Sequence, residues 1–118
     1  MSFRILVVDD EVLIAMEIAD ALEAEGFEVV GPCHSVLQAL DELQIPGCCD
    51  AVVLDANLRS ESALPVASAL LKLDIPFVVV SGYDRGQIQG DLAAGPILGK
   101  PVNTEDIVNY LQRVLAAR

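Results

Sequence analysis

The sequence predicts an α/β fold, a doubly wound sheet of five parallel strands with helices on both faces. Three observations lead there. Five short runs, β-rich and almost wholly apolar, recur along the 118 residues, as strands buried on both faces do. Segments with helical spacing alternate with them, and that alternation implies right-handed crossovers and a parallel sheet. Charged residues stand just past the carboxyl ends of the runs: Asp9-Asp10 after Ile5-Leu6-Val7-Val8, Asp55 after Ala51-Val52-Val53-Leu54, and Lys100-Pro101 after Ile97-Leu98-Gly99. Open α/β sheets bind their ligands in the crevice at that edge.

Each element has its own signal. Residues 3–8 form the first strand. Residues 11–25 carry Ile14, Ile18 and Leu22 at helical spacing, with Gly26 as the stop. A short strand over 27–30 ends at Gly31-Pro32, and Ser35 caps a helix running from 36 to about 44, closed by Pro46-Gly47. The third strand covers 51–54. A helix rich in Ala and Leu is expected over 61–73, and Ile75-Pro76 leads into a fourth strand at 77–80. The stretch 82–95 holds Gly82, Gly86, Gly90 and Gly95 and only Ile88 and Leu92 as anchors, which predicts a short or weak fourth helix. Residues 96–99 make the fifth strand, and Asn103 caps a last helix carrying Ile107, Tyr110, Leu111, Val114 and Leu115.

Composition narrows the function. Hydrophobic residues make up 53% of the chain, enough for a single core, and the length suits one domain. Eighteen acidic against seven basic residues give a net charge of −11, which argues against nucleic-acid binding because that needs a basic footprint. The longest apolar stretch, 64–80, is interrupted by Lys72 and Asp74, so no membrane span is expected. Residues 1–4 carry no signal-sequence pattern, and a cytoplasmic location is the expectation. Cys33, Cys48 and Cys49 are odd in number and form no CxxC pair, so reduced thiols without a function are expected.

The charges at the strand ends suggest chemistry. Two like charges about 4 Å apart cost roughly 4 kcal/mol at an effective dielectric near 20, so gathering Asp9, Asp10 and Asp55 calls for a divalent cation. Oxygen donors alone suit Mg²⁺, which keeps several waters and bridges to phosphoryl groups. With Lys100 beside it, such a site is neutral. Asp55, alone at the tip of the central strand, is the candidate nucleophile, yielding an acyl phosphate on attack of a phosphoryl donor. The Ser81 hydroxyl could donate to one phosphoryl oxygen, and Lys100 could pair with another. Pro101 suggests a cis peptide that aims the lysine inward. Taken singly these residues have plainer readings: Asp9 or Asp10 as a helix cap, Asp55 and Ser81-Gly82 as turn residues. The set together is what points to a phosphoryl site.

Val7-Val8-Asp9-Asp10-Glu11, Leu54-Asp55, Ser81-Gly82 and Lys100-Pro101 together resemble the receiver domain of two-component response regulators, over essentially the whole chain. The resemblance implies a flavodoxin-like sheet in the order 2-1-3-4-5 and one receiver domain over 1–118 with no output domain. It implies phosphorylation of Asp55 by the phosphohistidine of a sensor histidine kinase, with Asp10, Asp55 and the backbone carbonyl of Asn57 holding Mg²⁺ and Asp9 acting through water. It also implies a downstream protein of unknown identity. Many receivers carry an aromatic ring three residues before the lysine, where this chain has Ile97, and Tyr83 is the nearest substitute. In receivers the positions of Asn57 and Tyr83 influence the lifetime of the acyl phosphate. The run Phe77-Val78-Val79-Val80-Ser81-Gly82-Tyr83 resembles single-domain receivers that partner the HWE/HisKA2 class of sensor kinases.

Three other readings compete. A pseudo-receiver, a phosphorylation-independent interaction adaptor, would be expected to lack Asp55, Asp10 or Lys100, and all are present. An aspartyl-phosphate phosphatase usually carries a second Asp two residues after the nucleophile, where this chain has Asn57. A flavodoxin-like electron carrier needs a phosphate-cradling loop after the first strand, where Asp9-Asp10-Glu11 would repel phosphate. The reading is therefore a signalling phosphoacceptor, an enzyme only toward its own phosphorylation and dephosphorylation.

Overall fold

The structure is a computed structural model that describes residues 2–82 and 88–117. Its elements are β1 (Arg4–Val8), α1 (Val12–Ala24), β2 (Glu28–Cys33), α2 (Val36–Leu43), β3 (Ala51–Asp55), β4 (Asn57–Leu58), β5 (Glu61–Ser62), α3 (Leu64–Lys72), β6 (Phe77–Ser81), β7 (Ile97–Gly99) and α4 (Thr104–Ala116). The main sheet runs β2-β1-β3-β6-β7 with every pairing parallel, the expected order 2-1-3-4-5 once the small β4–β5 hairpin is set aside. The alternation of apolar residues feeds two cores. Ile5, Val7, Val53, Val78 and Val80 face Ile18, Leu22, Ile107 and Leu111 of α1 and α4. Leu6, Val52, Leu54 and Val79 face Ala39, Leu43, Val66 and Leu70 of α2 and α3. Burial on both faces explains why these strands are apolar at every position.

The predicted caps are in place. Ser35 Oγ accepts from the Gln38 N–H at 3.1 Å, and Asn103 Oδ1 accepts from the Glu105 N–H at 2.9 Å. The α1 helix differs, since its N-cap is Glu11 with no side-chain cap of its own.

Two boundaries depart from expectation. The helix predicted from 61 begins at Leu64, because Glu61–Ser62 instead pairs antiparallel with Asn57–Leu58. Pro65 supplies the reason. A helix starting at 61 would place it at the fifth position, where its ring and missing N–H break a turn, whereas in the first turn both are harmless. The second strand also continues past Gly31-Pro32 to Cys33, with a register shift opposite Leu6–Val8 that absorbs this dipeptide. Gly31 has φ +85°, and a Cβ there would lie 2.8 Å from the Cys33 nitrogen, so glycine is required.

In the expected weak region, the described residues contain one 3₁₀ turn, Gly90–Ala94, anchored by buried Leu92. Residues 83–87, including Tyr83 as a substitute ring and a guard of the acyl phosphate, lie outside the described part. Cys33, Cys48 and Cys49 are free and buried, and burial raises the Cys33 thiol to about 11. No helix among the described residues is long and apolar enough to cross a membrane.

Candidate functional site

Strand register assembles the site. Val8 pairs with Leu54, so Asp9 emerges beside Asp55 at adjoining strand ends. Asp55 pairs with Val80, one residue before Ser81, and Ser81 pairs with Gly99, one residue before Lys100. Four strands thus bring Asp9, Asp10, Asp55, Ser81 and Lys100 to one edge. Asp9, Asp10 and Asp55 each offer a carboxylate oxygen, all within 4.8 Å of one another. Lys100 Nζ donates to Asp55 Oδ2 at 3.1 Å. The Lys100-Pro101 peptide is cis, as the sequence suggested. The Asn57 N–H donates to Asp55 Oδ1 at 3.2 Å, which puts the Asn57 backbone beside that carboxylate. Ser81 is buried at the end of β6, and its carbonyl accepts from the Lys100 N–H at 2.9 Å. Ser81 lines a hollow shared with Asn57 and Ile88. Ile97, where many receivers have a ring, is half-buried on β7.

Two residues stand in the site without having been given a role from sequence. Glu11 Oε1 accepts a second bond from Lys100 Nζ at 3.3 Å. A fourth carboxylate therefore shares the lysine, and the site is more negative than the three-aspartate count implied. Arg59 caps the β4–β5 hairpin, and its N–H donates to Asp10 Oδ2 at 3.0 Å. Arg59 and Ser60 both have positive φ, 52° and 66°, as a two-residue type I′ turn requires. Neither is the Gly or Asn that usually marks such a turn, so nothing in the sequence announced the hairpin. Together these residues line an open cavity of about 370 Å³.

Electrostatics follow from burial. Asp9 is only 2% exposed, and burial raises its carboxyl to about 6, helped by the Asp55 charge and opposed by the Glu11 N–H. Asp55 is likewise raised by burial, against the pull of Lys100 and the Asn57 N–H. Burial alone would lower Lys100, but its bond to Asp55 and the surrounding carboxylates hold it above its ordinary value. Buried carboxylates raised in this way are costly as anions. A hard divalent cation removes that cost, and an all-oxygen donor set of this kind fits Mg²⁺.

The model of the response regulator receiver domain family matches residues 5–112. The chain belongs to this family. Receiver domains take a phosphoryl group on an aspartate in two-component signalling, and they bind Mg²⁺ at an acidic pocket. The transcriptional regulatory protein PdtaR of Mycobacterium tuberculosis is 30% identical to this receiver over 115 residues, covering 92% of the chain and 55% of that protein. The sensory transduction protein LytT of Bacillus cereus is 32% identical over 114 residues, covering 93% and 46% respectively. The chain spans about half the length of the curated relatives it matches. Among solved structures, SdrG from Sphingomonas melonis Fr1 is 37% identical, with a TM-score of 0.81 and coverage of 97% of each chain. A response regulator receiver protein from Sinorhizobium medicae, at 24% identity and a TM-score of 0.84, shares the receiver fold.

Proposed function

We propose that this receiver is an active phosphoacceptor, with Asp55 taking the phosphoryl group of a sensor kinase's phosphohistidine. The observation that carries the proposal is the convergence of three carboxylates within 4.8 Å and a lysine 3.1 Å from Asp55 Oδ2. A phosphorylation-independent adaptor would have no need to hold that repulsion. In the transfer, an Asp55 carboxylate oxygen bonds to phosphorus as the phosphorus–nitrogen bond breaks, and the electron pair returns to the donor's imidazole. Asp10, Asp55 and the Asn57 carbonyl are the groups that would hold Mg²⁺ directly, with Asp9 acting through water. When bound, the cation supplies charge neutralisation for the incoming phosphoryl oxygens. Lys100 leaves Asp55 for a phosphoryl oxygen, and the Ser81 hydroxyl donates to another.

The donor must dock close to the acidic cavity. Leu13 is 81% exposed, and Val12 and Met16 are about half exposed, so the start of α1 offers apolar surface just beyond the acidic pair. The sequence run over 77–83 supports a kinase of the HWE/HisKA2 class as donor. Ser81 at the end of β6 and Lys100 just past β7 support the face of β6, its following segment and α4 as the surface a downstream protein reads. Phosphorylation there is a local charge event that biases a two-state element.

The test is intact mass after incubation with acetyl phosphate and Mg²⁺, with Asp55→Asn as control. A Mg²⁺-dependent phosphoryl adduct is expected, and its loss in the variant assigns it to Asp55. If neither an adduct nor beryllofluoride-induced NMR shifts form, the pseudo-receiver reading replaces this one.

A further inference from the structure

We infer that His34 is a positioning residue of the acidic site, locking the peptide unit that joins Asp9 to Asp10; this rests on the Mg²⁺ reading above. His34 Nδ1 lies 2.8 Å from the Asp9 carbonyl oxygen. A carbonyl only accepts, so this contact assigns the ring proton to Nδ1. One residue earlier, the Cys33 carbonyl accepts from the Asp9 N–H at 2.9 Å. The Cys33-His34 dipeptide at the end of β2 thus grips both backbone polar groups of Asp9. It is anchored in turn: the His34 N–H donates to Gln38 Oε1 at 2.8 Å, and the Gln38 N–H donates to Ser35 Oγ at 3.1 Å.

The gripped carbonyl belongs to the peptide plane between the two aspartates. Turning that plane changes ψ of Asp9 and φ of Asp10 and swings both side chains. Each carboxylate is held at its outer end by a neighbouring amide, Glu11 to Asp9 Oδ1 at 2.9 Å and Arg59 to Asp10 Oδ2 at 3.0 Å. The His34 bond fixes the hinge between them. Mutual repulsion within the cluster pushes that hinge open, and a ligand set that must be reordered on binding holds its ion less tightly. His34 therefore preorganises the pair from the far side of the sheet edge without touching the cation.

The experiment is a Mg²⁺ titration of the full chain read by amide NMR shifts, with no phosphoryl donor present. It compares wild type with His34→Leu, His34→Gln and His34→Asn. Leu removes the donor, and Gln moves it one bond too far. Asn puts an N–H donor on the same Cγ that bears Nδ1. A lost hydrogen bond of ordinary strength predicts binding weakened by about threefold to tenfold in His34→Leu and His34→Gln. His34→Asn is expected to bind within about twofold of wild type, because a donor of the same reach replaces the lost one. A purely structural role would not be rescued by Asn. Wild-type binding with unchanged affinity in His34→Gln and His34→Leu overturns the inference, as does equal weakening in His34→Asn. Absence of Mg²⁺ uptake by the wild type overturns the metal reading itself, and the inference with it.

Discussion

Replacing Asp9 with Asn should stabilise the metal-free protein, although Asp9 belongs to the functional site. The folded-state carboxyl sits at about 6 against an ordinary 3.8, mainly because it is buried. A carboxyl raised on folding contributes stability that is fully present below the ordinary value and lost as pH rises through about 6. At about 1.36 kcal/mol per unit, the ionised form at pH 7.5 is disfavoured by roughly 3 kcal/mol. Asn resembles the protonated acid: its Oδ1 keeps the bond from the Glu11 N–H, and its amide can donate toward Asp55. Asp9→Asn should therefore gain up to about 3 kcal/mol at pH 7.5 in chelator, or roughly 10 °C in Tm for a domain of this size. At pH 5, still above the isoelectric point of about 4.1, the linkage relation reduces the gain to about half. Mg²⁺ should raise the wild-type Tm and close the gap. Thermal unfolding followed by circular dichroism, at both pH values and with and without Mg²⁺, reads all of this. An Asn variant no more stable than wild type at pH 7.5, or one whose advantage grows toward acid, would refute the reasoning.

Two further predictions concern the scaffold. Ser60→Gly should stabilise by about 0.5–1 kcal/mol, since Ser60 sits at φ 66° and a left-handed conformation costs a side chain roughly 1–2 kcal/mol; urea unfolding checks the sign. Gly95→Ala should destabilise by about 1–3 kcal/mol, because its Cβ would meet the Phe77 carbonyl oxygen at 2.8 Å and the Phe77 ring at 2.8 Å. An unchanged urea midpoint would mean that β6 yields at this point.

Much of the site was legible in the linear chain because strands buried on both faces mark themselves by unbroken apolar runs, and the residue after each run must lie at the sheet edge. Asp9, Asp55, Ser81 and Lys100 were found that way. The β4–β5 hairpin was not, since its turn carries Arg59-Ser60 and no residue chosen for positive φ. Its displacement of the predicted helix start was readable only in Pro65, whose proper place is the first turn. Glu11 stood out only as part of an acidic run, and no local pattern showed that it shares Lys100 with Asp55.

The elements, their alternation and the residue types at the strand ends are written locally in the chain, because they depend on periodicity and on which side chains water rejects. Which strand ends are neighbours has no local signature: the family resemblance alone supplied the order 2-1-3-4-5, and the folded sheet bears it out. The order β2-β1-β3-β6-β7 and the register Val8 with Leu54 set Asp9 beside Asp55, far apart in the chain. Tertiary structure decided the charge states, since burial that raises Asp9 to about 6 exists only once the strands close around it. The hydrogen bond from His34 to the Asp9 carbonyl, 25 residues away in sequence, is of the same kind. Long-range pairing is a property of packing, and no local pattern encodes the partner.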